Sequence, residues 1–314
     1  MIRVLDGIDA FLDQLASVDP LPVVFAVLAQ LAKLTCTSMA WRNVLAAAYP
    51  GEAVRRRSIT GAYLAGVGVN AIIPLRAGDA VRVLLARRAI VTSTYTTIVS
   101  STLVLSIFDI AAASAVLAWA ALTQDALPGL GDLPELPSFD FSWLFDHPLL
   151  VELLLPALII LTVVAGIWIH GHVVDFWGRV KQAFTVVRRP ALYLRTVAFW
   201  QAGDWILRLV AIWFLLDAFD IPQTFENVLL VQVSASIATL LPLTPAGIGT
   251  EQAFLLYVFQ GTVSSSKLLA FSVGLKFMTV GTNVVAGFTA LALPLRTLRY
   301  SRALESEEGA RERA

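Results

Sequence analysis

Long apolar runs alternate with short charged segments along the chain. Five runs have the length of about 20 residues that an α-helix needs to cross a bilayer. They are residues 21–41, 90–122, 149–169, 191–216 and 268–294. Two shorter apolar stretches, 58–75 and 225–243, are interrupted by small residues and each runs into a cluster of Pro and Gly. The pattern predicts an all-α, polytopic membrane helix bundle.

Composition supports a membrane protein over a soluble enzyme. Of 314 residues, 57% are hydrophobic and only 15% are charged, and the mean hydropathy is +0.75. These values lie well outside the range of water-soluble domains. We expect one membrane domain, 1–304, followed by a charged cytoplasmic tail, 305–314. The 23 basic and 23 acidic residues cancel, so the net charge says nothing about partners; no nucleic-acid partner is expected. The single cysteine, Cys36, excludes an intrachain disulfide and a multi-cysteine metal site.

Basic residues predict how the segments sit, because Lys and Arg concentrate in cytoplasmic loops. Arginines lie on both sides of the stretch 58–75, and three glycines interrupt it. A re-entrant hairpin that enters from the cytoplasm is the economical interpretation. The stretch 225–243 has acidic flanks instead, which suggests that it enters from outside. The loop 124–148 carries five acidic residues and no lysine or arginine, so we place it and the N-terminus outside. The alternative counts both stretches as full spans, seven or eight in all.

The two Pro/Gly clusters resemble each other. Residues 73–79 and 241–251 both read apolar, Pro, Leu, then Ala-Gly and an acid. Hairpins that enter from opposite faces would make an inverted repeat, as in many transporters. A broken helix beside arginines is also a plausible anion site. The plainer alternatives are that such clusters are tight turns and that Arg76 and Arg82 only set the topology.

Intramembrane charges are the other candidates. Asp204 and Arg208 are spaced i, i+4, so they share a helix face and can pair, as a structural pair or as a substrate site. Asp109, Glu251 and Lys276 are single charges that we expect to be paired across helices. Lys33 is expected to reach a helix end by snorkelling, and Trp41 to mark the inner membrane interface.

Three short motifs follow one another over nearly the whole chain. The first is Trp41-Arg42 followed by Leu45. The second contains Asn70, Pro74, Arg76, Gly78, Asp79 and Arg82. The third contains Pro242, Thr244, Pro245, Gly247, Gly249 and Glu251. In this order and spacing the chain resembles the lysylphosphatidylglycerol synthase transmembrane region family, and it keeps Asp109 as the intramembrane acid of the third segment.

The resemblance implies the flippase half of that family's activity. The expected partner is an anionic phospholipid or a polyprenyl-phosphate lipid, moved between leaflets of the inner or plasma membrane. We expect no aminoacyltransferase domain after the tail, and therefore no transfer of lysine from tRNA. The alternatives are an integral membrane transferase acting on a lipid-linked substrate, which would use Asp79, His170, His172 or Asp175, and an accessory lipid-binding subunit. A homo-oligomer is compatible with the sequence.

No catalytic residue, cofactor or metal is assigned. His170, His172 and Asp175 at a cytoplasmic helix end are better explained as interfacial polarity than as a metal site. No P-loop, nucleophile elbow or dinucleotide fingerprint is present in the sequence. The sequence therefore favours a transporter over an enzyme.

Overall fold

The computed structural model describes residues 18–73, 77–90, 92–123, 177–240, 250–259 and 262–311. A helical segment, 177–183, and a 3-10 turn, Phe184–Val186, precede the fifth helix. The described α-helices are α1 (Pro20–Ala48), α2 (Arg56–Ile72), α3 (Ala77–Ala89), α4 (Tyr95–Thr123), α5 (Pro190–Ala218), α6 (Phe225–Leu240), α7 (Thr250–Val258) and α8 (Ser265–Arg311). The residues described contain no β-strand, and the all-α prediction is confirmed.

Four of the described helices are long and apolar enough to cross a membrane. They are α1, α5, the segment Tyr95–Ala120 of α4 and the segment Ser265–Ala292 of α8. Each coincides with one of the predicted spans. Large apolar side chains such as Phe277, Leu103 and Leu28 stay exposed on them, as expected of surfaces that face lipid. The polytopic bundle is therefore confirmed, while the predicted span 149–169 lies outside the described residues.

The ends of the bundle separate the charges. At the acidic end, the backbone N–H of Asp19 donates to Ala218 O over 3.2 Å, and Lys267 Nζ lies 3.0 Å from Asp220 Oδ2. At the basic end, Gln182 Nε2 donates to Ala48 O over 2.9 Å. Arginines adjoin the helix ends here: Arg55, Arg56, Arg57, Arg87, Arg88, Arg179, Arg188 and Arg189. This separation of acidic and basic residues between the two ends agrees with the predicted topology. The positive-inside rule predicts that the basic end is cytoplasmic.

Helices α2 and α3 form an antiparallel hairpin, and α2 also packs against α8. Gly68 lies against Gly287 and the carbonyl of Asn283, while the Leu64 carbonyl lies against Gly287. Since α2 and α8 run antiparallel, Ile72 at the end of α2 is level with roughly residue 280 of α8. That is close to the centre of the segment Ser265–Ala292. The hairpin thus turns at about mid-depth, which supports the re-entrant interpretation over a full span.

Helices α6 and α7 form the second hairpin. It starts at the acidic end, because Phe225 follows Asp220 by five residues. In the first turn of α7, Glu251 pairs with Lys276, near the middle of the membrane segment of α8. The two hairpins therefore reach mid-depth from opposite ends, as an inverted repeat requires. The repeat itself stays a prediction, and the connections 74–76 and 241–249 lie outside the described residues.

Candidate functional site

The second motif holds the two helices of the first hairpin together. Asn70 Oδ1 accepts a hydrogen bond from the Gly78 N–H over 2.7 Å, and Asn70 Nδ2 donates to Asp79 Oδ1 over 2.9 Å. The Gly78 N–H belongs to the first turn of α3, where amides have no partner within the helix. Asn70 therefore caps α3 from the neighbouring helix, and Asp79 adds a negative charge at the positive end of the helix dipole.

Two glycines allow α2 and α3 to approach this closely. A Cβ atom on Gly66 would lie 2.6 Å from Gly78 O and 2.7 Å from Arg82 Cβ. A Cβ on Gly78 would collide with the Gly66 carbonyl and lie 2.7 Å from Asn70 N. Real Cβ atoms essentially never come within 3.0 Å of such neighbours. The glycine of the motif is therefore needed for the fit of the hairpin.

Arg82 lies between the hairpin and α1. Its guanidinium is 3.5 Å from Asp79 Oδ1 and its Cζ is 5.8 Å from the centre of the Trp41 ring. The side chain is 20% exposed, and its Nε has no hydrogen-bond partner among the described residues. An arginine at this depth with a free donor has the chemistry of an anion site. Pro74 and Arg76, from the same motif, lie outside the described residues.

Trp41 supports Arg82 and is not at the membrane interface. Only 1% of Trp41 is exposed, and its Nε1 donates to Ser101 Oγ over 2.8 Å. The expectation that it marks the inner interface is therefore wrong. The buried hydrogen bond fixes the indole, whose face is a preferred surface for a guanidinium.

The second cluster is the pair Asp204–Arg208 on α5. Arg208 Nη2 lies 2.9 Å from Asp204 Oδ2, which confirms the i, i+4 pairing. The Thr37 hydroxyl donates to the other oxygen of Asp204, and the Arg208 guanidinium lies 4.8 Å from the Trp205 ring centre. Asp204 is buried, while the Arg208 side chain is 32% exposed. Its Nε, like that of Arg82, has no hydrogen-bond partner in the part of the chain described.

Asp109 and Lys33 extend this cluster. Asp109 Oδ1 accepts a hydrogen bond from Trp205 Nε1 over 3.0 Å. Lys33 lies within electrostatic range of Asp204, Arg208 and Asp109. Snorkelling to a helix end is therefore the wrong account of Lys33, which stands thirteen residues after Pro20 in the 29-residue α1. Sequence reasoning missed its role because the apolar run was predicted to end at residue 41, seven residues before α1 does.

Helix α1 and Tyr63 bring the two clusters together. Thr37 contacts Asp204 and Trp41 contacts Arg82, and these two residues are one helical turn apart on α1. Tyr63, on α2, packs its ring 6.4 Å from that of Trp41 and lies within electrostatic range of Arg82, Asp204 and Arg208. The hairpin arginine and the α5 ion pair thus belong to one polar site inside the bundle.

Glu251 forms a separate ion pair. It is 4% exposed and pairs with Lys276 Nζ of α8, which confirms the expected pairing across helices. Nearby on α8, Asn283 Oδ1 accepts a hydrogen bond from Gln30 Nε2 over 3.0 Å. The remaining members of the third motif lie outside the described residues: Pro242, Thr244, Pro245, Gly247 and Gly249.

The described residues contain no group of three or more His, Cys, Asp or Glu side chains that could hold a metal ion. His170, His172 and Asp175 lie outside that part of the chain.

The family model described as the lysylphosphatidylglycerol synthase TM region matches residues 2–287 of the 314-residue chain. No curated protein matches the chain, and no solved structure matches it.

Proposed function

Because the chain belongs to the lysylphosphatidylglycerol synthase TM region family, we propose that it moves an anionic phospholipid or a polyprenyl-phosphate lipid between the leaflets of the cell's inner or plasma membrane. The family match covers almost the whole described bundle and indicates a membrane protein that acts on lipids. Movement of the lipid between leaflets is our proposal beyond that. The placement of the polar site, within a bundle that two hairpins enter from opposite ends, supports it.

The environment of Arg82 carries the proposal. Its contact with Asp79 is long at 3.5 Å, and the Asp79 side chain is 36% exposed. A pair of this kind contributes little stability. A phosphate oxygen can therefore take the place of Asp79 beside the guanidinium at a small cost, and the buried Arg82 Nε would become a further donor once the hairpin moves. The Trp41 ring, 5.8 Å away, gives the guanidinium a second contact that does not depend on Asp79.

The hairpins supply a route to both leaflets. The α2–α3 hairpin starts at the basic end and the α6–α7 hairpin at the acidic end. Small movements of either hairpin relative to α8 would open the site to one side at a time, as in transporters built from inverted repeats. Asp204 and Arg208 would present the next polar contacts along the path, because Thr37 and Trp41 place them one helical turn from Arg82.

The transferase alternative has less support among the described residues. Of its candidate acids and bases, Asp79 is the one described, and its Oδ1 already accepts a hydrogen bond from Asn70 and faces Arg82. Both contacts serve to hold the hairpin together, and no other candidate acid or base of the transferase alternative is among the described residues.

A reconstitution experiment tests the proposal. The purified full chain is placed in liposomes with a fluorescent phosphatidylglycerol, and dithionite quenching reports how fast the probe crosses the bilayer. We expect faster crossing than in empty liposomes. Arg82→Ala should slow it about tenfold or more, because a hydrogen bond to a charged group contributes ~1.5–3 kcal/mol. Arg82→Lys, which keeps the charge and loses the planar fork, should be intermediate.

Arg88→Ala is the matched control. Arg88 is an exposed arginine on the same helix, and its removal should leave the rate unchanged. If no anionic lipid, polyprenyl phosphates included, crosses faster than in empty liposomes, lipid movement is wrong. If the lipid probe crosses at the wild-type rate with Arg82→Ala, Arg82 does not contact the lipid on its way across the membrane.

A further inference from the structure

A cavity of about 720 Å³ lies outside the polar site, among the first half of α1, the end of α5 and the membrane segment of α8. Its walls are almost entirely apolar, and include Val23, Val27, Phe219, Phe277 and Met278. Its volume falls in the range of small-molecule sites, roughly 300–1,000 Å³. Phe277 and Val285 are 81% and 67% exposed, so the cavity opens sideways from the bundle.

The cavity is about as long as one leaflet's hydrocarbon layer is thick. On α8 it extends from Val273 to Val285, which is about 18 Å at the helical rise of 1.5 Å per residue. Half of a bilayer's hydrocarbon core measures ~15 Å. On the α1 side it extends from Val18, just before the helix at the acidic end, to Leu31. Along α1 the cavity therefore reaches from the acidic end to about mid-depth, and along α8 its lining residues lie on both sides of mid-depth, close to the hydrogen bond between Gln30 and Asn283.

A cation lies near the acidic end of the cavity, because Lys267 contacts Asp220, which directly follows the lining residue Phe219. Lys267 precedes Gly274, which lines the cavity, by seven residues, so both lie on the same face of α8. Lys267 is the one cation among the described residues of the acidic end, and its Nζ lies 3.0 Å from Asp220 Oδ2. Lys267 Nζ also donates to the Asp220 carbonyl over 3.0 Å, whereas the Asp220 carboxylate is fully exposed, so the ionic part of the contact is weakly held. An anionic headgroup at the surface would replace that carboxylate beside Lys267.

We infer that this cavity holds one hydrocarbon chain of an anionic glycerophospholipid whose phosphate lies beside Lys267. The inference rests on the proposed function only for identifying this lipid with the one that is moved. Apolar burial gives little net gain inside a bilayer, because lipid tails are as apolar as the walls. Shape and van der Waals contact therefore hold the chain, and the charge of Lys267 selects the headgroup.

Photo-cross-linking tests the inference. The full chain in nanodiscs receives a phosphatidylglycerol with a diazirine in one acyl chain, and labelled peptides are mapped by mass spectrometry. Labels should concentrate on residues 23–31 and 273–285, above the level on the lipid-facing side of α4 at Leu103 and Ile110. Lys267→Gln should lower this labelling for phosphatidylglycerol, and should not lower it for a phosphatidylcholine probe.

Gly281 is a position at which a larger side chain would fill the cavity. A Cβ on Gly281 meets nothing within 4 Å and Gly281 lines the cavity, so the side chain of Gly281→Leu would start in open space there. The cavity labelling should fall about fivefold or more, because many contacts worth ~0.1–0.2 kcal/mol each are lost together. Gly61→Leu is the matched control, because a Cβ on Gly61 also meets nothing within 4 Å and Gly61 does not line the cavity.

Unchanged labelling in Gly281→Leu, or labelling no higher than on α4, would overturn the inference. So would protein–protein cross-links that place residues 149–169 or a second copy of the chain in the cavity. Labelling of the cavity without lipid movement would refute the proposed function and leave the inference intact. Lipid movement without labelling of the cavity would refute the inference and leave the proposed function intact.

Discussion

Gly78→Ala should separate the two helices of the first hairpin. The added methyl group would overlap the Gly66 carbonyl and lie 2.7 Å from Asn70 N and 2.8 Å from Asn70 Oδ1. Two of these three neighbours are backbone atoms, which cannot rotate away. Helix α3 must therefore move, and the 2.7 Å hydrogen bond from the Gly78 N–H to Asn70 is the first contact to lengthen.

Two costs set the size of the effect. Overpacking at a close contact costs about 1–3 kcal/mol, and loss of one hydrogen bond costs about 0.5–1.5 kcal/mol. Together they predict a hairpin weakened by roughly 2–4 kcal/mol. Because Asp79 and Arg82 are on the displaced helix, the contact of Arg82 with Trp41 should weaken as well.

The assay combines stability and binding. Thermal unfolding of the chain in mild detergent should show a lower midpoint for Gly78→Ala than for the wild type. Native mass spectrometry with added phosphatidylglycerol should show less bound lipid at the same concentration. Gly61→Ala is the control, since its methyl group meets nothing within 4 Å. If Gly78→Ala matched Gly61→Ala in both measurements, the tight packing at Gly78 would be refuted.

Two further predictions concern the ion pairs. Asp204→Asn leaves Arg208 without its counter-charge and should lower the unfolding midpoint. The loss in the free energy of unfolding would reach about 3–5 kcal/mol if the pair were fully buried. The exposed Asp217→Asn is the control, and an equal loss in both variants would contradict the role of the pair. Glu251→Gln should destabilise the chain by leaving Lys276 unpaired, and the double variant Glu251→Gln with Lys276→Met should recover part of that loss. A coupling energy below ~0.5 kcal/mol in this double-mutant cycle would show that the pair contributes nothing specific.

The spans and hairpins could be predicted because they depend on features that are local in the sequence. A run of apolar residues specifies a membrane helix by its length, and the charges at its ends specify its direction. Four predicted spans coincide with helices, and the two short stretches correspond to the hairpin helices α2 and α6. The pairing of Asp204 with Arg208 is local in the same way, since it needs only the helical period.

The composition of the site could not be predicted, because it depends on contacts between distant segments. Lys33 looked like a residue near a helix end, but α1 extends to Ala48 and leaves it in the middle. Trp41 looked interfacial, and only the approach of α3 and α4 explains its burial against Arg82 and Ser101. A π-helical turn at Leu194–Ala198 interrupts α5 with no marker of Pro or Gly within it. Sequence patterns report which face of a helix is polar, but not which helix faces it.

The motifs and the helices that support them have different roles in the site. The glycine and asparagine of the second motif shape the hairpin, and of its described members Arg82 is the one that offers a free donor. Thr37, Trp41, Tyr63 and Lys33 lie on α1 and α2, and they determine which charges surround that donor. If the chain moves lipids as proposed, substitutions at these four positions should alter its selectivity among lipids, whereas substitutions of the glycines should weaken the hairpin for every lipid alike.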